Sequence, residues 1–181
     1  MNILAIESAS IVCGAALFLN NKLVEIDEII KPKIHGERLP VIVDNILQNH
    51  SLLAADLDGI AVSSGPGSYT GLRIGMSLAK GIAMAAKIPI VPVPTLEAMN
   101  KEIFKKGIYW VCLYSHKNIV FIQKFDTGLP VSNIKCIPID SMKYSSLFGF
   151  NLDSICKSGS YEIVKLSAKN IGYLAIKNFN K

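Results

Sequence analysis

The residues best placed to do chemistry form a glycine-rich loop between a strand and a helix. Ile60–Val62 is a short apolar run typical of a buried strand, and Gly65-Pro66-Gly67 ends it. Ser68 to Gly71 then open a helix of small residues. Such a loop lies at the carboxyl end of a strand. In open α/β sheets, the free N–H groups of the turn and helix start receive ligands or partners there.

Two better-known phosphate-binding motifs do not fit this spacing. A Walker A loop requires Gly-Lys-Ser/Thr, whereas Gly71 is followed by Leu72. The dinucleotide motif requires Gly-x-Gly-x-x-Gly, and Gly65, Gly67 and Gly71 are spaced one residue too widely. Taken without the longer pattern around them, the glycines and Pro66 favour a tight strand-to-helix turn with only a structural role.

Charge and cysteine usage narrow the class of protein. The 181 residues have a net charge of +5, but the lysines are spread along the chain and form no basic stripe interleaved with aromatics. Direct recognition of nucleic acid is therefore not favoured. The four cysteines form no Cys-x-x-Cys pair, which argues against a zinc site and a disulfide framework. Glu7 interrupts the first apolar stretch, so we expect no signal peptide or membrane span and a cytoplasmic protein.

The apolar pattern alternates between strand and helix periods. It predicts strands over residues 2–7, 11–19 and 22–30, with Asn20-Asn21 as a tight hairpin turn. An apolar stripe predicts a helix from His35 to near His50. Farther along the chain, the pattern predicts a strand over 88–93 and a helix over 95–105. It then predicts a hairpin of 108–113 and 119–125, a strand over 134–139 and a closing helix over 167–175.

The second predicted helix, about Thr70 to Lys87, has two unusual features. Gly71, Gly75, Ala79 and Ala83 are spaced four apart, so they form a smooth strip that another helix could approach closely. That strip could pack inside the chain, against a partner, or both.

Arg73 is the second feature, because a cation in the first turn opposes the helix dipole at a cost of about 0.3–1 kcal/mol. We therefore expect it to have a carboxylate partner. Glu7, Asp58 or an acidic group on a partner protein could fill that role.

The longer run over residues 65–75, Gly-Pro-Gly-Ser-Tyr-Thr-Gly-Leu-Arg-Ile-Gly, closely resembles the signature of the TsaB family, also called YeaZ. Ala79-Lys80-Gly81 and Ile88-Pro89-Ile90 extend the resemblance, which covers most of the first 105 residues. It implies an α/β fold of RNase H-like lobes of the actin and sugar-kinase (ASKHA) type. The expected division is an N-terminal lobe over 1–105 and a shortened C-terminal lobe over 106–181. It also implies a role in making threonylcarbamoyladenosine in tRNA.

The resemblance further implies a non-catalytic accessory or dimerisation subunit that binds TsaD, the related ATPase. A TsaE-like ATPase is a second expected partner. The same helical face could instead form a homodimer, and tRNA would bind indirectly through the complex. No intrinsic cofactor is expected, since ATP or ADP and metal would lie on TsaD or at the interface. The expected partner-contact residues are His35, Leu39, Ser68, Thr70, Arg73, Gly75, Ala79 and Ala83. Ala79→Arg is expected to break partner binding and leave the fold intact.

The turn over residues 7–10 lies where kinases of that superfamily carry an acidic residue and hydroxyls for phosphate and metal. Here it has one carboxylate and lacks the usual glycine. A structural strand end and a phosphate contact therefore both stay open. The weak phosphate-turn candidates are Glu7, Ser8, Gly65 and Gly67. TsaD has two histidines four apart on the first helix, whereas His35 is followed by Leu39 at that spacing, so no metal site is expected.

Two other functions compete with this hypothesis. An ASKHA-type ATP-binding or phosphotransfer enzyme acting alone would use Glu7, Ser8 and the glycine loop. It would need a further carboxylate, and Asp58 lies at the wrong end of its strand. A peptidase is disfavoured because the chain has no Gly-x-Ser-x-Gly elbow, no identifiable base for Ser68 and no second metal-binding histidine.

Overall fold

The computed structural model describes residues 1–141, 146–153 and 160–179. The chain forms two compact units: Met1–Thr95 with the described part of Ser167–Lys181, and Leu96–Leu166. The predicted boundary after residue 105 lies past the end of the first segment. The prediction also placed the closing helix in the second lobe, whereas that helix packs on the sheet of the first unit.

The first unit is built on a five-stranded sheet in the order β3-β2-β1-β4-β5. Its strands are β1 (Ile3–Glu7), β2 (Val12–Leu19), β3 (Lys22–Ile30), β4 (Gly59–Gly65) and β5 (Ile90–Pro94). The first three strands are antiparallel, and β4 and β5 run parallel to β1. Asn20 and Asn21 have positive φ angles of 51° and 65°, as the predicted hairpin turn requires.

Helices cover both faces of this sheet. On one face, α1 (His35–Asn49) and α2 (Tyr69–Ala86) enclose an apolar core with alternate residues of the central strands, such as Leu4 and Ile6.

On the other face, α4 (Ala168–Phe179) packs on β1 and β2. A side chain at Gly172 would collide with the Phe18 ring, so glycine lets α4 lie close to the sheet. Tyr173 then meets Phe18 edge-on, with 5.1 Å between the ring centroids.

The second unit contains all but the first residue of α3 (Thr95–Asn100). It is built on a sheet in the order β11-β10-β6-β7-β8, with β9 also paired to β7. Its strands are β6 (Ile108–His116), β7 (Ile119–Asp126), β8 (Leu129–Pro130), β9 (Lys135–Pro138), β10 (Leu147–Phe150) and β11 (Glu162–Ile163). The predicted hairpin is β6–β7, and the predicted strand over 134–139 is β9. The apolar run that forms β10 was not recognised in the sequence.

The third helix is shorter than predicted, because it ends at Asn100 and not near residue 105. The Asn100 side chain is held by two hydrogen bonds. Its Oδ1 accepts the Tyr109 hydroxyl at 2.6 Å, and its Nδ2 donates to the Gly128 carbonyl at 2.9 Å. Tyr109 is fully buried and stacks on Phe125. The polar cluster thereby fixes the start of the second unit.

The described cysteines and helices add two plain findings. Cys13 and Cys112 are buried and Cys136 is exposed, while Cys156 lies outside the described residues. Within the described ranges, the helices fall short of the length and apolar character needed to cross a bilayer.

Candidate functional site

The turn over residues 7–10 is covered directly by the backbone of α2 and the loop before it. The Ser68 N–H donates to the Ala9 carbonyl at 2.7 Å. An added Cβ at Gly67 would overlap the Ala9 carbonyl oxygen, and one at Gly71 would overlap the Ser8 carbonyl oxygen. Only glycine permits this approach. The glycines that the sequence analysis singled out therefore let a helix rest on a turn within the same chain.

Glu7 is the first residue of this turn and is fully buried. Its Oε1 accepts the Ala9 N–H. Burial, together with a smaller contribution from the Glu28 carboxylate, raises the pKa of the carboxyl from 4.5 to about 8. Glu28 lies two strands away, because Glu7 pairs with Gly14 and Gly14 pairs with Glu28. With no cation beside it among the described residues, the Glu7 carboxyl therefore favours its neutral form at pH 7.

The side of this turn that faces the glycine loop leaves no space for a phosphate. The Ser8 and Ala9 carbonyl oxygens point at the glycine backbones of α2 and its loop, and carbonyl oxygens repel phosphate oxygens. Gly65 has a φ of 105°, which serves the turn out of β4. No group of three His, Cys, Asp or Glu side chains in the described part of the chain is placed to hold a metal ion. The geometry thus gives no support to the weak phosphate-turn candidates Glu7, Ser8, Gly65 and Gly67.

The strip of Gly71, Gly75, Ala79 and Ala83 faces inward along its whole length, and we call it the inner face of α2. Ala79 is 0% exposed, and a side chain at Gly75 would overlap Ser8 Oγ. The chain's own residues cover this strip, so Gly75, Ala79 and Ala83, which were expected to contact a partner, are instead buried within the chain.

The two residues of α1 expected at the interface are also buried. Leu39 belongs to the apolar core. The His35 Nε2 is hydrogen-bonded to the Val12 carbonyl at 3.0 Å, which ties the start of α1 to the start of β2. Of the residues expected to contact a partner, Ser68, Thr70 and Arg73 are exposed, whereas His35, Leu39, Gly75, Ala79 and Ala83 are not.

The opposite side of α2 presents an exposed row of larger side chains. We define this outer stripe as Tyr69, Arg73, Ser77, Lys80 and Met84, which recur every three or four residues and are all exposed. Tyr69 is 74% exposed and Met84 is 82% exposed, unusually high for large apolar side chains. Of this stripe, only Arg73 was expected from the sequence to contact a partner. The missed signal was the face of the helix opposite the small-residue strip.

Arg73 is the only residue of the stripe for which a carboxylate partner was expected. Its guanidinium lies over the Tyr69 ring, 5.3 Å from the centroid, and Nη1 lies 3.4 Å from the Tyr69 hydroxyl. Within the described residues no carboxylate forms an ion pair with it. Glu7 is buried, and Asp58 accepts the Asn2 N–H at 2.6 Å.

Two grooves flank the outer stripe, so Arg73 and Ser77 form a ridge between them. A groove of about 560 Å³ lies between α1 and α2, and one of about 430 Å³ lies between α2 and the end of β4. The first is lined by Gly36, Pro40, Thr70, Arg73, Ile74, Ser77 and Leu78. The second is lined by Ser63, Ser64, Tyr69, Leu72, Arg73, Met76, Ser77 and Lys80. This surface can receive a partner with apolar side chains and an acidic group.

Comparison with known sequences gives a consistent set of relatives. A family model described as TsaD, tRNA N6-adenosine threonylcarbamoyltransferase, matches residues 29–124. The tRNA threonylcarbamoyladenosine biosynthesis protein TsaB of Escherichia coli is 36% identical over 107 residues, which is 59% of this chain and 46% of that protein. The Buchnera aphidicola (Acyrthosiphon pisum) protein of the same name is 30% identical over 156 residues, covering 78% and 70%. The chain thus spans about half the length of some curated relatives and more of others.

Solved structures with the same fold support the predicted fold class. YeaZ from Pseudomonas aeruginosa superimposes with a TM-score of 0.80 at 18% identity, covering 99% of this chain and 92% of that one. An inorganic polyphosphate/ATP-glucomannokinase from Arthrobacter sp. strain KM gives 0.54 at 10% identity, covering 99% of both. The expected α/β fold of the actin and sugar-kinase type is confirmed.

Proposed function

The chain belongs to the TsaB family, and from that premise we propose that it is a non-catalytic subunit in the biosynthesis of threonylcarbamoyladenosine in tRNA. In this proposal it binds and supports a TsaD-like threonylcarbamoyltransferase. The pathway in this proposal is taken from the names of the related proteins. The two faces of α2 supply the physical argument for the role.

The observation that carries the proposal is the contact between the inner face of α2 and the turn over residues 7–10. In this chain the Ser8 and Ala9 carbonyls lie against Gly71 and Gly67, where a kinase of this fold would need room for a phosphate. The Glu7 carboxyl is buried and its pKa is raised to about 8. A neutral, enclosed acid is a poor ligand for Mg²⁺. Nucleotide and metal chemistry is therefore assigned to the partner or to its interface with this chain.

The outer stripe supplies the complementary argument for binding. Tyr69 and Met84 are exposed apolar side chains, and aromatic residues, Met and Arg are the types enriched at protein interfaces. Arg73 is held over Tyr69 in a defined position, so a carboxylate on the partner would meet a preorganised cation. We assign Tyr69 and Arg73 as the centre of the TsaD contact, with Ser68 and Thr70 at its edge. The same surface would serve a homodimer, and a TsaE-like ATPase would join the complex of both chains.

The test is the mass of mixtures of this chain with the TsaD of the same organism, measured by light scattering after size-exclusion chromatography. Wild type should form a stoichiometric complex. Arg73→Glu should weaken it at least about tenfold, because it places like charges together at the centre of the contact. Lys22→Glu, an exposed charge reversal on β3, is the matched control and should bind as wild type does.

Two results would contradict the proposal. If wild-type proteins elute separately with and without ATP and a TsaE-like protein, the family membership describes ancestry and not present assembly. Magnesium-dependent ATP turnover by this chain alone, abolished by Glu7→Gln, would instead favour an enzyme acting by itself.

A further inference from the structure

The second unit carries an exposed aromatic residue in a lysine-rich segment. Phe104 is 95% exposed and lies between α3 and β6, in the sequence Lys101-Glu102-Ile103-Phe104-Lys105-Lys106. A fully exposed phenylalanine leaves a large apolar area in water, and here it adds nothing to the core of the unit. We therefore attribute the exposure of Phe104 to a role in binding.

Phe104 lines a polar pocket of about 580 Å³ within the second unit. Its wall contains a second ring, Phe148, with the Lys105 ammonium 5.9 Å from the ring centroid. Glu102 and Glu162 add two carboxylates to the lining. The full lining is Glu102, Ile103, Phe104, Lys105, Lys106, Phe148 and Glu162, which we call the Phe104 pocket.

An aromatic ring, carboxylates and ammonium groups occur together in this pocket. A nucleotide in a single strand has a group that can bind each of them. A base offers a flat π-face for stacking on Phe104. Its exocyclic amino group donates to a carboxylate such as Glu162. The adjoining phosphates are anions for Lys105 and Lys106. We propose that the Phe104 pocket binds single-stranded RNA. The choice of RNA among polynucleotides rests on the proposed role in tRNA modification.

Other occupants match this set of groups less well. Lysine and glutamate are depleted at protein interfaces, yet they make up most of the charged lining here. An anionic membrane offers phosphates to the lysines, as RNA does, but its lipids carry no flat ring to stack on Phe104. From the sequence, tRNA was expected to bind only through the complex, because the chain shows no stripe of aromatics among basic residues. The exposure of Phe104 is the observation that alters that expectation.

The test is fluorescence anisotropy of the full chain with two labelled probes, a single-stranded RNA of about 12 nucleotides and an unmodified tRNA transcript. Phe104→Ala should weaken binding about tenfold at every salt concentration, because it removes stacking and no charge. Lys105→Gln combined with Lys106→Gln should lower the slope of log affinity against log salt by about 1.4, the value for two phosphate contacts on a single strand.

The controls match each change elsewhere in the chain. Leu53→Ala removes a side chain that is 73% exposed in the first unit, and Lys22→Gln with Lys31→Gln removes the same charge from exposed positions. Both should bind RNA as wild type does. The proposal is wrong if wild type shows no RNA binding at about 100 μM, if the Phe104 variant binds like its control, or if anionic vesicles and not RNA bind in a Phe104-dependent way. TsaD binding should be unchanged in Phe104→Ala, so the failure of either proposal can be told from that of the other.

Discussion

The two faces of α2 differ in composition, contacts and use. The inner face consists of glycine and alanine, and it is covered by the chain's own β1–β2 turn and apolar core. The outer stripe consists of larger side chains that contact little else in the described structure, apart from the stacking of Arg73 on Tyr69. A row of small residues marks a close approach between backbones, and the approach can be made within one chain. An exposed aromatic beside an unpaired cation is the better sign of a partner.

The largest expected effect comes from placing a cation on each face in turn. Ala79→Arg puts a long charged side chain into the core and should destabilise the chain by about 4 kcal/mol or more, since the charge has no buried partner. Ser77→Arg on the outer stripe should change stability by less than about 0.5 kcal/mol. Urea denaturation of both variants measures the difference. Equal stability would mean that the inner face is not buried as described.

A single methyl group on the inner face should have the next largest effect. The Cβ of Gly71→Ala would overlap the Ser8 carbonyl oxygen, and backbone cannot move aside as a flexible side chain can. We expect a loss of about 3 kcal/mol in the free energy of unfolding. A variant that unfolds at the same urea concentration as wild type would show that α2 lies farther from the turn.

The buried acid in the turn beneath α2 predicts a pH dependence. The pKa of Glu7 is raised from 4.5 to about 8 in the folded chain, so the folded state holds its proton where the unfolded chain has lost it. Stability should therefore fall as the pH rises between those two values and level off above about pH 8. Glu7→Gln keeps the oxygen that accepts the Ala9 N–H and should remove this dependence.

We expect Glu7→Gln to be more stable than wild type by about 3 kcal/mol or more near pH 9 and to differ little near pH 5. Thermal denaturation at both pH values measures this. Glu37→Gln, at an exposed position of α1, is the control and should follow wild type. Parallel pH profiles for wild type and Glu7→Gln would contradict the enclosed, neutral acid.

The smallest expected effect is a gain. Gly81 lies on α2 away from the inner face, and a side chain there would meet nothing within 4 Å. Gly81→Ala should stabilise the chain by about 0.5–1 kcal/mol, because alanine loses less conformational freedom in a helix. The same denaturation assay that measures the loss in Gly71→Ala measures this gain. A loss in both variants would mean that the two faces are equally crowded.

The sequence predicted the first unit well because its signals are local. The Asn20-Asn21 turn, the strand before Gly65 and the apolar stripes of the first two helices depend on neighbours along the chain. The fold class followed from the family resemblance. The inward direction of the small-residue strip could not be predicted, because helical spacing gives the positions on a face and not what covers them.

The unpredicted features depend on contacts distant in sequence. The apolar run of β10 has only four residues and acquires its strand form by pairing with β6. The end of α3 depends on the bond between Asn100 and Tyr109. The burial of Glu7 follows from its place between β2 and β4 in the sheet. Each of these needs the tertiary structure before it can be recognised.

The packing of α4 on the first sheet affects how the protein is made. The first ninety-five residues leave the ribosome before the second unit, whereas the helix that covers Phe18 and the neighbouring strand residues comes after it. At about 5–20 residues per second, that apolar face stays uncovered for several seconds of synthesis. The nascent chain is exposed to aggregation during that interval, and a product truncated before Ser167 would remain so.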